Sequence, residues 1–398
     1  MQKTDTFKKK LLVLNPFPVY PPMSGGQERV FYLYKHVAEY YNVIILCFSD
    51  RRGYKVIAPG LMQITIPKSR THAMEEIKLS SVFGLFTCAI MPMVSRHTPE
   101  YAHILNSHKN DAAAVILSHP YLHDEVKRLN VTAPIIYDAH NVELELHREI
   151  LPAAAHKLLS EISRVEQSAC QDSQLIITCS QQDANALATL YNVDPAKFKV
   201  VPNGTDITKR LLSSRNSFVN NKLSQGIEHP LALFVGSYHV PNINAAQHIL
   251  NMAPRLPNIQ FNLLGSLCRA FHNRQPPANV RMSGVVTEDE KNKLLCAADV
   301  ALNPVLSGSG TNIKMFDYMA AGIPIVTTEY GARGIGGIDG QHFLVGQPAD
   351  MPDKILELIR DKAKATYLVG NAYRLVTEHF DWRQIAASFV YKLNKLVH

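Results

Sequence analysis

A chain of 398 residues is long for one domain and suits two of ordinary size. With 46% hydrophobic and 19% charged residues it is neither disordered nor fibrous, and each half can bury a core. The formal net charge of +7 fits an anionic partner such as a nucleotide diphosphate or a phospholipid surface. Nucleic acid is disfavoured, because no basic helix and no basic stripe interleaved with aromatics appears.

Residues 7–10 form a short basic lead-in with no long apolar stretch behind it, so no secretory signal is read. Residues 11–14, 43–48, 114–117, 135–137 and 175–179 are short aliphatic and β-branched runs, which predict buried parallel strands. Helical patterns separate them at 28–40, 101–109 and, as one long element, about 144–170. Residues 82–94 are the most apolar stretch, but Pro92 and the short length argue against a membrane span. A polar segment, 209–229, reads as a linker. Beyond it, strands at 232–235, 260–264, 280–283, 300–303 and 323–327 alternate with helices at 244–252, 288–297 and 313–321. Two such βαβ series predict an α/β chain of two doubly wound, Rossmann-like domains. The expected division is 1–208, the linker 209–229, a second domain 230–378, and a last stretch 379–398. Its helix (about 382–396) has an apolar face of Ile385, Phe389 and Leu393 suited to packing back on the first domain. The six cysteines form no CxxC and several sit in apolar runs, which reads as reduced core thiols in a cytoplasmic protein.

Ligands of doubly wound sheets bind beyond the carboxyl ends of the strands, so the loops after each strand carry the chemistry. After the strand ending at Asn303 comes a small-residue loop with Gly308, Ser309 and Gly310, then a helix opening near Thr311 and Asn312. Free N–H groups at such a start suit a diphosphate, and glycines permit close approach. On that helix Lys314 can meet phosphate charge and Asp317 can accept hydrogen bonds from a vicinal diol. A tight turn with a surface Lys–Asp pair is an equally good local reading. After the first strand stand Gly25 and Gly26, and after a later one the run Asp138-Ala-His140-Asn141-Val-Glu143. His119 and His123 are four apart, but Pro120 interrupts any single helix as a metal platform.

The stretch from Asp317 through Tyr-Met-Ala-Ala-Gly-Ile-Pro-Ile-Val resembles the E-A-M-A-x-G-x-P-V-V segment of glycosyltransferase family 4, the retaining group of the GT-B fold. That resemblance implies two Rossmann-like domains facing a central cleft, the acceptor on the first and the nucleotide-sugar donor on the second. Asp317 matches the carboxylate that contacts the nucleotide ribose. The family's other carboxylate lies eight residues earlier, where this chain has Ser309. Gly308 to Lys314 are similar to a branch with a G-x-G-T-x-x-K loop, in which backbone groups replace that acid. Gly25 and Gly26 resemble the N-terminal glycine loop near the donor phosphates. His140 matches a histidine that contacts the transferred sugar, and Val201 to Asp206 look like the segment ahead of the interdomain crossing. Gly236 opens the donor domain, but Ser237, Tyr238, His239 and Asn242 stand where an arginine and a lysine usually grip the diphosphate.

Lys314 therefore carries the expected phosphate role, and His140 and Lys314 are the expected catalytic pair. Donor contacts are expected from Gly25, Gly26, Gly236, Ser309, Gly310, Thr311, Asn312 and Asp317. Acceptor contacts are expected from Tyr20, His119 and Asn141, with residues 82–94 suited to a lipid-linked acceptor or to a buried helix. The implied reaction is metal-independent transfer from a UDP- or GDP-sugar to a hydroxyl acceptor, without a cofactor, in cell-envelope polysaccharide synthesis. Its expected place is the cytoplasm, including peripheral contact with the inner face of the membrane. The rival readings are an epimerase of the same architecture and a non-catalytic nucleotide-sugar-binding homologue. A dehydrogenase is disfavoured, since no GxGxxG follows the first strand.

Overall fold

The computed structural model describes residues 8–83, 88–207, 229–308 and 310–397. The chain divides into two compact units, Met1–Pro202 with Arg383–His398 and Asn203–Trp382. The expected linker lies almost wholly outside the described residues, as does Ser309.

The first unit runs β1 (Lys10–Asn15), α1 (Gly25–Val37), β2 (Asn42–Ser49), β3 (Gly53–Ala58), β4 (Leu61–Pro67), α2 (Arg70–Phe83), α3 (Met91–Val94) and α4 (Pro99–His108). It continues with β5 (Ala112–Ser118), α5 (His123–Arg128), β6 (Ile135–Ala139), α6 (Glu143–Ile150), α7 (His156–Asp172), β7 (Leu175–Thr178), α8 (Gln181–Tyr191) and β8 (Phe198–Val200). The strands form one sheet in the order β3-β4-β2-β1-β5-β6-β7-β8. Only β3 is antiparallel, paired with β4 at the edge. Strands covered on both faces become continuous apolar runs, and Leu11 to Leu14 of β1 are fully buried.

The second unit runs β9 (Leu231–Val235), α9 (Val240–Met252), β10 (Gln260–Leu264), β11 (Val280–Gly284), α10 (Glu288–Ala297), β12 (Val300–Asn303) and α11 (Ile313–Ala320). It closes with β13 (Ile325–Thr327), β14 (Leu344–Val345), α12 (Met351–Arg360) and α13 (Lys362–His379). The parallel sheet has the order β11-β10-β9-β12-β13-β14. Ala232 and Phe234 of β9 enter one core and Leu233 the other, so this sheet too is sandwiched. Helix α14 (Trp382–Val397) belongs with the first unit: Tyr41 donates to Asn394, and Lys9 Nζ donates to Val397 O at 3.0 Å.

Three local expectations are corrected. The single helix expected at 144–170 is broken into α6 and α7 around Pro152. Proline lacks the N–H and its ring clashes with the carbonyl one turn back. Gly25 and Gly26 are not loop residues but the first two residues of α1, after Ser24 in extended conformation. Strands β3 and β4 and helix α2 fill a region in which no element was predicted; β3 is largely exposed and lacks a clean apolar alternation.

Candidate active site

Both sheets reverse their strand order at one place, between β1 and β5 in the first unit and between β9 and β12 in the second. The loops leaving the carboxyl ends there diverge and leave room for a ligand. The loops after β1, β5 and the adjoining β6, and those after β9 and β12, carry most of the residues singled out above.

In the first unit the site is built on a buried ion pair. Arg29 of α1 reaches Asp138 at the end of β6 through Nη2 at 2.7 Å and Nε at 3.0 Å, and donates from Nη1 to Val201 O at 2.9 Å. Tyr34 donates to the other carboxylate oxygen at 3.0 Å. Burial alone would raise the Asp138 pKa, but the Arg29 charge and hydrogen bonds hold it well below the usual carboxylate range. A charged residue beside the apolar stripe of α1 (Val30, Leu33, Val37) is the sequence signal for this anchor, which motif spacing does not single out. The anchor ties α1, β6 and the segment after β8 together under His140.

His140 stands just past β6, buried, with Ser118 Oγ 3.2 Å from its Nε2 and Asp138 Oδ2 at 3.7 Å. Burial, with the neighbouring His119, lowers its pKa to about 4, so it is neutral near pH 7. A Cβ built on Gly26 would lie 3.8 Å from His140 Nδ1, in the space before the ring. Gly26 thus leaves the opening turn of α1 without a side chain beside His140. His119 lies against His140, ring centroids 4.2 Å apart, and is stacked on Tyr121. Its φ of 70° places a non-glycine residue in the left-handed region. Such a conformation costs about 1–3 kcal/mol and persists only where the surroundings enforce it. Asn141 Nδ2 turns inward to Glu143 at 3.3 Å. Tyr20 lies apart from this cluster. Its ring meets Phe31 at 5.3 Å and Lys55 Nζ at 4.7 Å, and its N–H is held by Gln63 of β4 at 3.2 Å. In residues 82–94, Val82 is exposed while Met91, Pro92 and Val94 are buried, and 84–87 lie outside the described residues.

In the second unit β9 ends at a backbone crossing that only glycine allows. A Cβ on Gly265 (φ 112°) would meet Gly236 O at 2.2 Å, and one on Gly236 would meet Leu267 Cδ2 at 2.8 Å. After β12, Gly308 (φ 117°) and Gly310 (φ 71°) carry the loop into α11. The loop is anchored by Tyr330 donating to Gly308 O and by Asn203 Nδ2 donating to Thr311 Oγ1 at 2.7 Å. Asn312, ahead of α11, donates to Gly331 O at 3.3 Å. Lys314 is half-buried, its ammonium 2.6 Å from Asn242 Oδ1 and 4.3 Å from the Phe234 ring centroid. Burial without a paired carboxylate drops its pKa to about 7. The alternative local reading, a surface Lys–Asp pair, is not what is found. Asp317 is buried, accepting from Thr205 Oγ1 at 2.8 Å and pairing with Lys291 Nζ of α10 at 3.0 Å. Its partners come from the segment after Asn203 and from α10, neither of which helix periodicity along 313–320 could reveal.

Among the described residues no group of His, Cys, Asp and Glu is placed to hold a metal ion. Among them, too, no single helix is long and apolar enough to cross a membrane. The six cysteines are free thiols.

Two Rossmann-like sheets, each with candidate residues beside its switch point, define the GT-B class of fold. Residues 23–209 match the family model "Glycosyltransferase Family 4", and 229–361 match "Glycosyl transferases group 1". The two models together span most of the chain, which is a glycosyltransferase of the family 4 and group 1 type. It is 26% identical over 235 residues to the MMP alpha-(1->4)-mannosyltransferase of Mycolicibacterium hassiacum, a match covering 56% of this chain and 54% of that protein. It is 21% identical over 354 residues to the D-inositol 3-phosphate glycosyltransferase of Rhodococcus erythropolis, covering 83% and 76%. Among solved structures, HepE of Anabaena in complex with UDP and glucose superposes with a TM-score of 0.72 at 15% identity, over 97% of this chain and 99% of that one. The sucrose-phosphate synthase of Thermosynechococcus elongatus gives 0.76 at 14%, over 98% and 99%.

Proposed function

We propose that this protein is a retaining, metal-independent glycosyltransferase that moves a sugar from a nucleotide-diphosphate sugar, UDP- or GDP-linked, to a hydroxyl acceptor. The observation that carries the reading is Lys314. Among the described residues it has no carboxylate partner, and it is desolvated beside Phe234 at the glycine loop of the second unit's switch point. Its ammonium touches Asn242, one of the residues standing where the family resemblance implies an arginine and a lysine that grip the diphosphate. The charge absent from α9 is therefore supplied from α11 at the same place. A departing diphosphate needs preorganised positive charge and N–H donors, and these act most strongly where water is excluded. In this reading Lys314 and the loop N–H groups around Gly310 and Thr311 stabilise the leaving group. Asp317, beside Lys291, meets the ribose diol. On the first unit His140, neutral and set before the bare turn at Gly26, offers a hydrogen bond to the transferred sugar. Among the described residues no side chain at the site is arranged as a covalent nucleophile, and same-face attack assisted by the donor phosphate fits retention. The acceptor, including a lipid-linked one at the inner face of the membrane, falls to the first unit.

The test is a thermal-shift screen with UDP, GDP, ADP and their sugars, followed by a nucleotide-release assay. At least one uridine or guanosine nucleotide is expected to raise the melting temperature. Lys314→Ala is expected to keep the fold and to lower nucleotide release about 100-fold or more, the usual loss on removing a leaving-group stabiliser. Wild-type release in that variant removes Lys314 from the mechanism, and no stabilisation by any nucleotide defeats the reading.

A further inference from the structure

Behind His119 stands a carboxylate to which neither the family resemblance nor the proposed reaction gives a task. Glu143, the first residue of α6, is 2% exposed and receives three hydrogen bonds. His119 Nδ1 lies 2.9 Å from Oε1, Asn141 Nδ2 donates to Oε1 at 3.3 Å, and Tyr121 donates to Oε2 at 2.5 Å. Burial works against its charge, but the hydrogen bond from His119, the nearness of His119 and His147, and the hydroxyl of Tyr121 lower its pKa and hold it ionised. An ionised carboxylate only accepts, so the nitrogen of His119 that faces it must carry hydrogen. The other nitrogen, Nε2, is buried and has no hydrogen-bond partner among the described residues. A second proton there would be a buried N–H without an acceptor, beside the rings of His140 and Phe17. An unshared lone pair is the less costly state, and it is one that a hydroxyl can satisfy.

We infer that Glu143 is a positioning residue: it sets the tautomer and orientation of His119, leaving Nε2 as the acceptor for the hydroxyl of the incoming sugar acceptor. The strained backbone at His119, φ 70°, accompanies this arrangement, with the ring stacked on Tyr121 and 2.9 Å from Glu143. A second carboxylate makes the placement rigid. Glu166 of α7 accepts the N–H groups of Glu143 at 2.7 Å and Leu144 at 3.1 Å, capping α6 where the chain's own Val142 supplies no side-chain cap. The inference rests on the transferase reading for the identity of the hydroxyl. The state of His119 itself does not depend on it.

The experiment is long-range 1H–15N NMR of the full-length protein labelled in its histidines, with His119→Gln to assign the resonance. At pH 7.5 the wild type is expected to show a protonated Nδ1 and a pyridine-type Nε2. Glu143→Leu is expected to lose that pattern. Glu143→Gln, which still presents a carbonyl oxygen to Nδ1, is expected to keep it. A protonated Nε2 in the wild type overturns the inference, as does an unchanged pattern in Glu143→Leu. Calorimetric titration with UDP and GDP separates this result from the broader reading. If neither nucleotide binds the wild type, the transferase reading fails while the tautomer stands; if one binds and Nε2 is protonated, the pair alone fails. With a methyl glycoside as the hydroxyl probe, Glu143→Leu is expected to lower kcat about 100-fold at unchanged donor KM, the scale of loss from misplacing a reactant. Recovery of most of that loss by Glu143→Gln supports positioning, and wild-type turnover in Glu143→Leu removes it.

Discussion

Lys314 has its charge decided by its neighbours. With Asn242 as its hydrogen-bond partner and Phe234 beneath it, burial brings its pKa to about 7. A diphosphate placed there favours the ammonium and raises that value. Near pH 7.5 a large share of the lysine is neutral before binding and charged after it, so binding takes up protons. Calorimetry in buffers of different ionisation enthalpy is expected to show uptake of part of a proton per nucleotide bound. The uptake should shrink as pH falls below about 6, where the free lysine is already charged. Lys314→Met should abolish it. Lys314, Asp317 and His140 were legible in sequence as residue types in motif positions. The Lys291 beside Asp317 and the Glu143 behind His119 were not, since each contact joins elements from different parts of the chain.

At the scale of elements, buried polar groups do the work of helix caps. Glu166 sits in the apolar stripe of α7 with Ile162, Val165 and Ala169, a charged residue at a core position. It also receives the hydroxyls of Tyr191 at 2.8 Å and Tyr137 at 3.2 Å. Burial, and then the charge of Glu143, raise its pKa to about 7 despite these donors. The unfolded chain releases this proton near 4.5, whereas the folded protein keeps it to about 7. Between those values the native state binds more protons, so this group lowers stability as pH rises, and its favourable contribution is gone above about 7. Glu166→Gln keeps an acceptor for α6 without the titration. Urea melts at a series of pH values are expected to show a flatter dependence between about pH 4.5 and 7 for the variant. An unaltered slope would remove Glu166 as its source.

At the scale of the whole molecule, the chain leaves the first unit after Pro202, completes the second, and returns at Arg383. The outgoing and returning segments run side by side: Thr205 N donates to Phe380 O at 2.9 Å and Trp382 N to Thr205 O at 3.3 Å. Helix α14 then buries Ile385, Ala386, Phe389 and Leu393. Each large apolar side chain so buried stabilises by about 1.5–3 kcal/mol, and a whole domain is held by only about 5–15 kcal/mol. Truncation after Trp382 is therefore expected to unfold the first unit and leave the second folded. Differential scanning calorimetry should show the loss of one transition. A truncated chain that melts like the intact one would show that α14 adds nothing to the first unit.

Strand runs, helix periods and glycine-marked loops determined the two doubly wound sheets, because parallel strands buried on both faces must be continuous apolar runs. The motif around Asp317 likewise announced the family, since its spacing is local to one loop, one helix and one strand. Tertiary structure decided what those motif residues touch. It placed Lys314 on Asn242 instead of beside Asp317 and gave Asp317 to Thr205 and Lys291. It put the glycines of residues 25 and 26 into the first turn of α1, and it set Glu143 behind His119 with Glu166 beneath. These outcomes depend on contacts between residues tens to more than a hundred positions apart. Periodicity and spacing along the chain carry information about neighbours on one element, and none about which elements the sheet order brings together.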